Sequence, residues 1–191
     1  MPSDHSSDGE DRATSPSDGP TRSATRTRRG ATKAGKELAQ HGQYCTFRLA
    51  GLAIGIDVRR VQEVLKHDQM TPVPLAPPEV RGLINLRGQI VTAIDLRHQL
   101  GLGVDGQLTA SVVVRAGDEA VSLLVEEVGD VVEPSPDDYE PVPAAVPARV
   151  RDVVTGTFKL AGMLLLVLDP DRVITRLEAA SGSSRQTRRS T

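Results

Sequence analysis

Tryptophan is absent, and the 191 residues include only two phenylalanines and two tyrosines. So few rings cannot build a stacking platform for a run of nucleobases. The single cysteine, Cys45, excludes a disulfide framework and a cysteine-rich zinc site. It falls in an alternating apolar pattern, where a lone thiol serves as a small core residue. No run of 18 apolar residues occurs, and the N-terminus lacks the apolar stretch of a secretory signal. A cytoplasmic setting without membrane insertion is therefore expected.

Signals of chemistry are equally scarce. His5, His41, His67 and His98 lack metal-ligand spacing. Glu126-Glu127 and Asp137-Asp138 are adjacent pairs, and neighbours on a strand face opposite sides, so Glu126 and Glu127 do not converge. Gly101 to Gly106 matches G-x-G-x-x-G but precedes a strand pattern, so no helix N-terminus awaits a phosphate. No Ser, His and Asp arrangement stands out. No catalytic residue, metal or cofactor is assigned, and no enzyme is expected.

What is present divides the chain in three. Residues 1–41 and 181–191 are rich in Ser, Thr, Arg and Gly and poor in apolar side chains, which predicts disordered tails. The domain is expected at 42–180. The net charge of −2 hides a split, because 42–180 carries 13 basic and 19 acidic side chains. An acidic domain argues against a dedicated nucleic-acid binder. Residues 22–36 hold six basic groups and no acidic one, a run able to touch acidic surfaces or, less in keeping with the rest, nucleic acid.

Period-two patterns dominate the middle. Cys45, Phe47 and Leu49 share one strand face, as do Ile54, Ile56 and Val58. Val61, Val64 and Leu65 fall at helical spacing, which predicts a short helix with Glu63 off its apolar stripe. The four prolines of 69–78 predict an extended, exposed connector. Asn85-Leu86-Arg87-Gly88 reads as a type I turn with Gly88 as a bulge, joining strands 80–84 and 89–95. A short helical turn at 97–101 and a polar loop at 101–109 follow. The loop looks like a boundary between halves at 42–100 and 110–180.

In the second half, strands 111–116 and 120–128 form a hairpin through Gly117-Asp118-Glu119. A short strand near 130–133 leads to a proline-rich loop over 133–147. Strands 150–160 and 163–169 flank Ala161-Gly162. A terminal helix is capped by Asp169, starts at Pro170 and carries a Val173, Ile174, Leu177 stripe. Nine or ten short strands with few helices predict an all-β fold of two small barrels sharing a core.

The residues then become recognisable as a set. Gly55-Ile56-Asp57-Val58, Val61-Gln62-Glu63-Val64, Pro77 to Gly82, Asn85 to Gly88, Asp95-Leu96-Arg97 and the run 125–131 resemble the CheW-like chemotaxis coupling domain over 42–180. The resemblance implies two five-stranded SH3-like barrels around a common core. It implies a non-enzymatic adaptor between the cytoplasmic tips of chemoreceptors and a CheA-type histidine kinase, recruited to membrane-associated arrays. It places Arg87 in receptor and array contacts, with Glu63, Gly82, Asn85 and Val61 beside it. Met70, Thr71 and Val73 of the stiff connector are assigned to the kinase regulatory domain. Asn85 is expected chiefly to bond its own turn, and Val61 to be chiefly core. The alternatives are a ligand-binding or sensory double barrel, and a binder of acidic surfaces or nucleic acid through 22–36.

Overall fold

The computed structural model describes residues 42–66, 70–103 and 106–186, with side chains described through Ala180. The basic run 22–36 and His67 lie outside the described residues. Within them the strands are β1 (Tyr44–Leu49), β2 (Leu52–Asp57), β3 (Val61–Lys66), β4 (Val80–Leu86), β5 (Gln89–Asp95), β6 (Ala110–Ala116), β7 (Glu119–Val125), β8 (Glu127–Val132), β9 (Tyr139–Glu140), β10 (Val154–Leu160) and β11 (Met163–Leu168). The helices are α1 (Leu96–Leu100), α2 (Ala148–Arg151) and α3 (Pro170–Gln186).

The predicted mainly-β class holds. One sheet runs β8-β1-β2-β11-β10-β9 and the other β3-β6-β7-β5-β4. Strand pairing closes neither sheet, so the expected pair of five-stranded barrels takes the form of open sheets with six and five strands. The five-stranded sheet is built from one continuous stretch, 61–125. The six-stranded sheet takes its strands from the chain on either side of that stretch. Each sheet contains one parallel pair, β2 with β11 and β5 with β7.

Burial explains the strand sequences. Ser111–Val114 of β6 and Val121–Val125 of β7 are buried without alternation, as befits strands covered on both faces. The largest apolar cluster joins both sheets: Phe47, Leu49, Ile54 and Ile56 pack with Ile94, Val112, Val114, Leu123 and Val125. Leu96 and Leu100 of α1, Val150 of α2 and Val173 of α3 close its ends. The shared core is thus as expected, and truncating Phe47 to Ala would cost about 3–5 kcal/mol. A smaller cluster holds Tyr44, Phe158 and Tyr139, with ring centroids 5.3 and 5.4 Å apart. Three of the four aromatic rings therefore sit together. Cys45 is buried, as its pattern required, and burial raises its thiol pKa.

Four local expectations are corrected. The helix at 61–65 is strand β3, preceded by a 3-10 turn over Val58–Arg60. Val61 and Leu65 satisfy both periods, and pairing with β6 decides the matter. The strand placed at 150–160 starts at Val154, because Ala148–Arg151 closes one helical turn after Pro147. The proline-rich loop is not wholly irregular: Ser135 Oγ accepts from the Asp137 N–H at 3.3 Å, and β9 then pairs with β10. The tail expected from 181 is helical through Gln186. Once nucleated, a helix gains one bond per added residue, so capping and packing upstream carry it through a weak sequence. Asp169 Oδ1 accepts from the Asp171 N–H at 3.0 Å, the cap the sequence predicted.

Candidate partner-docking surface

The β4–β5 hairpin sets the geometry. Leu86 pairs with Gln89, leaving Arg87 and Gly88 as a two-residue loop. Their φ angles are 52° and 90°. Two positive φ values define a type I′ turn, whose twist matches the strands, so the expected type I turn with a Gly88 bulge is corrected. Gly88 adopts this backbone freely, whereas it costs Arg87 roughly 1–2 kcal/mol. Asn85 Oδ1 accepts from the Gly88 N–H at 2.8 Å and braces the loop, the local bond its sequence position predicted.

Arg87 stands out from this tip with its side chain 81% exposed, and its Nη2 donates to Glu63 Oε1 at 3.1 Å. Glu63 lies on β3, at the opposite end of the same sheet from β4. The sheet therefore curls until its two edges come within one ion pair. Glu63 was expected off an apolar stripe. On strand β3 it shares a half-buried face with Val61 and Leu65, while Val64 turns outward at 45% exposure. Val61 packs against the main core.

Gly82 and the connector form a second constellation. Thr71 and Leu83 exchange two backbone hydrogen bonds, each 2.9 Å. A Cβ on Gly82 would lie 2.6 Å from the Thr71 carbonyl oxygen. Only glycine admits the connector this close, and the β4–β5 register shifts between Val80 and Gly82. This covers part of the free edge of β4. Met70 is half-buried against Ile84, Ala93 and Leu124, so it anchors the connector to the sheet. Val73 faces outward at 38% exposure.

Around this hairpin and connector the sequence reading missed three exposed apolar side chains. Leu75 is fully exposed, with φ 63°, on the same connector. Ile90 is 61% exposed and directly opposite Asn85, beside the hairpin tip. Val64 is the third. A leucine flanked by Pro74 and Pro77, and the period-two phase of 61–66, were the available signals.

Other polar groups are structural. Asp95 caps α1 by accepting from the Arg97 N–H at 3.0 Å, and the two side chains form a buried ion pair at 3.4 Å. Arg97 Nη1 also donates to the Gly106 carbonyl at 2.8 Å. Glu126 accepts from the Ala50 N–H at 3.1 Å, while Glu127 lies in solvent near Arg48, so the two glutamates diverge as predicted. Gly101 is the left-handed cap of α1 rather than part of a phosphate loop. The Arg59 guanidinium, hydrogen-bonded to Asp57, holds that carboxyl below its ordinary range. Burial raises the phenols of Tyr44 and Tyr139. Among the described residues, no three His, Cys, Asp or Glu side chains are grouped to hold a metal, and no helix is long and apolar enough to cross a membrane.

Two open sheets sharing one core, with a braced arginine hairpin at the edge of one, define a small β docking module. The model of the CheW-like domain matches residues 43–178. The chain is 31% identical to a chemotaxis protein CheW of Klebsiella aerogenes, over 77% of this chain and 89% of that one. It is 30% identical to the CheW of Thermotoga maritima, over 72% and 90%. The crystal structure of the scaffolding protein TtCheW from Thermoanaerobacter tengcongensis superposes with a TM-score of 0.65 at 27% identity, covering 70% of this chain and 87% of that one. This chain belongs to the CheW-like domain family. Its function is that of a CheW-type coupling scaffold in chemotaxis signalling.

Proposed function

We infer that the chain joins the cytoplasmic tip of a chemoreceptor to the regulatory domain of a CheA-type histidine kinase and performs no chemistry itself. The receptor or array face is the hairpin edge: Arg87 and Glu63 make the polar contacts, and Ile90 adds an apolar one. Asn85 and Gly82 shape that edge without having to touch the partner, and Val61 supports it from the core. The kinase face is the connector, with Met70 and Thr71 as its anchors and Val73 as its exposed contact. Each contact is modest, and alternation of adaptor and kinase in a membrane-associated array makes the assembly stable through effective concentration.

The observation that carries this reading is the backbone of Arg87. A type I′ turn prefers Asn, Asp or Gly at that position. Arginine there forfeits local stability, and the exposed pair it makes with Glu63 returns only about 0.2–1 kcal/mol. The side chain is better explained by a partner than by the fold.

The test is co-purification with a receptor cytoplasmic fragment, read alongside kinase activation. Arg87→Glu is expected to lose both while the circular dichroism stays native. Unchanged binding together with unchanged activation would remove Arg87 from the docking face. A fragment spanning 42–186 is expected to retain kinase binding, which assigns docking to the domain and not to the basic run 22–36.

A further inference from the structure

We propose that a cleft between α1, α2 and α3 binds a free α-amino acid as its zwitterion. About 300 Å³ of space opens where Gln99 of α1, Arg149 of α2, and Arg176, Leu177 and Ala180 of α3 meet Glu79 before β4. That is the small end of the range for ligand pockets, roughly 300–1,000 Å³.

The charges lining it are not mutually satisfied. Arg176 is committed, with Nη1 on Asp152 Oδ2 at 2.8 Å and Nε on the Gln99 carbonyl at 3.4 Å. The side chains of Arg149 and Glu79 have no ion-pair or hydrogen-bond partner among the described residues. The two line the same cleft as opposite charges and do not pair with each other. Gln99 is only 4% exposed. Its Nε2 donates to the Val173 carbonyl at 2.5 Å, but its Oε1 is buried and accepts from nothing. An orphaned buried acceptor carries its full desolvation cost until a donor arrives.

These groups select by elimination. A simple anion would face Glu79, and a simple cation would face Arg149 and Arg176. A nucleotide exceeds the space and brings phosphates onto the glutamate. A neutral apolar molecule leaves Arg149, Glu79 and Gln99 Oε1 as they are. An α-amino acid answers all of them. Its carboxylate suits the flat fork of Arg149. Its ammonium carries three donors, enough for Glu79 and Gln99 Oε1 together. Its side chain would lie on Leu177 and Ala180.

The test uses the full chain, labelled with ¹⁵N and titrated in turn with L-leucine, L-valine, L-alanine and L-serine. At least one is expected to give saturable shifts at the amides of Gln99, Arg149 and Leu177. N-acetyl-leucine and leucinamide each lack one charge and should bind at least about tenfold more weakly than leucine, the loss of one charged hydrogen bond. Arg149→Gln and Glu79→Gln should each give the same weakening with an otherwise native spectrum and unaltered receptor and kinase binding. Equal binding of N-acetyl-leucine and leucine would make the cleft a plain anion site and overturn the proposal. Absence of saturable shifts with all four amino acids would overturn it too.

Discussion

Two Leu-Arg pairs bracket strand β5, Asn85-Leu86-Arg87 before it and Asp95-Leu96-Arg97 after it. Locally they are alike. In each, the first side chain accepts a hydrogen bond from a backbone N–H a few residues ahead, Asn85 from Gly88 and Asp95 from Arg97. Their surroundings are opposite. The Arg87 side chain is 81% exposed, with one partner across the sheet edge. The side chains of Arg97 and Asp95 are only 7% and 1% exposed. A guanidinium buried against Asp95 and the Gly106 carbonyl is shut off from any partner. An exposed one on a braced turn keeps most of its donors free. The same residue type is structural at one end of a strand and available at the other, and the covering chain makes the difference.

The largest test of this contrast is Asp95→Ala. It leaves a buried cation without its carboxylate and removes the cap of α1, so a loss of about 3–5 kcal/mol is expected in urea unfolding. A loss under about 1 kcal/mol would mean that the pair is not structural. Gly82→Ala follows, at roughly 1–3 kcal/mol, because the new methyl must displace the Thr71 backbone. Faster amide exchange at Thr71 and Leu83 should accompany it, since their two bonds define the contact. Arg87→Glu should change stability by less than about 1 kcal/mol, since only an exposed pair is lost. Its effect belongs in receptor binding, and a large stability change would erase the distinction between the two arginines.

The smallest effect is in acid. Arg59 lowers the Asp57 pKa in the folded state, so the pair contributes stability above the ordinary carboxylate range. That contribution is lost as pH falls through the depressed folded value, below about 4. Asp57→Asn should therefore lower stability slightly at neutral pH and converge with the parent protein at low pH, which flattens the acid limb of the pH-stability curve. An identical acid limb in both proteins would show that the exposed pair contributes nothing.

Much of the hairpin was legible before the structure. Asn85 and Gly88 announced a turn, the four prolines announced a connector, and Asp169-Pro170 announced a helix start. All of these act over a few residues. The errors came where two local readings competed. Val61 to Leu65 fits a helix and a strand equally well, and only the availability of β6 as a partner settled it. The turn at Arg87 was misread because arginine is an unfavoured residue for a type I′ loop. The docking edge itself was only half visible. Glu63 and Arg87 are 24 residues apart, and nothing local brings them together. Gly82 could be flagged as unusual in a strand, but the reason for it, the Thr71 carbonyl, comes from the connector.

By itself the sequence determined where chain segments extend, where they turn and which side chains those turns hold out, because backbone preferences and side-chain caps work at short range. Only the tertiary structure decided how strands divide between two sheets, that one sheet curls until Glu63 reaches Arg87, and that Arg97 is sealed while Arg87 is not. Those outcomes depend on burial and on pairing between strands far apart in the chain, such as β2 with β11, and no local preference encodes them.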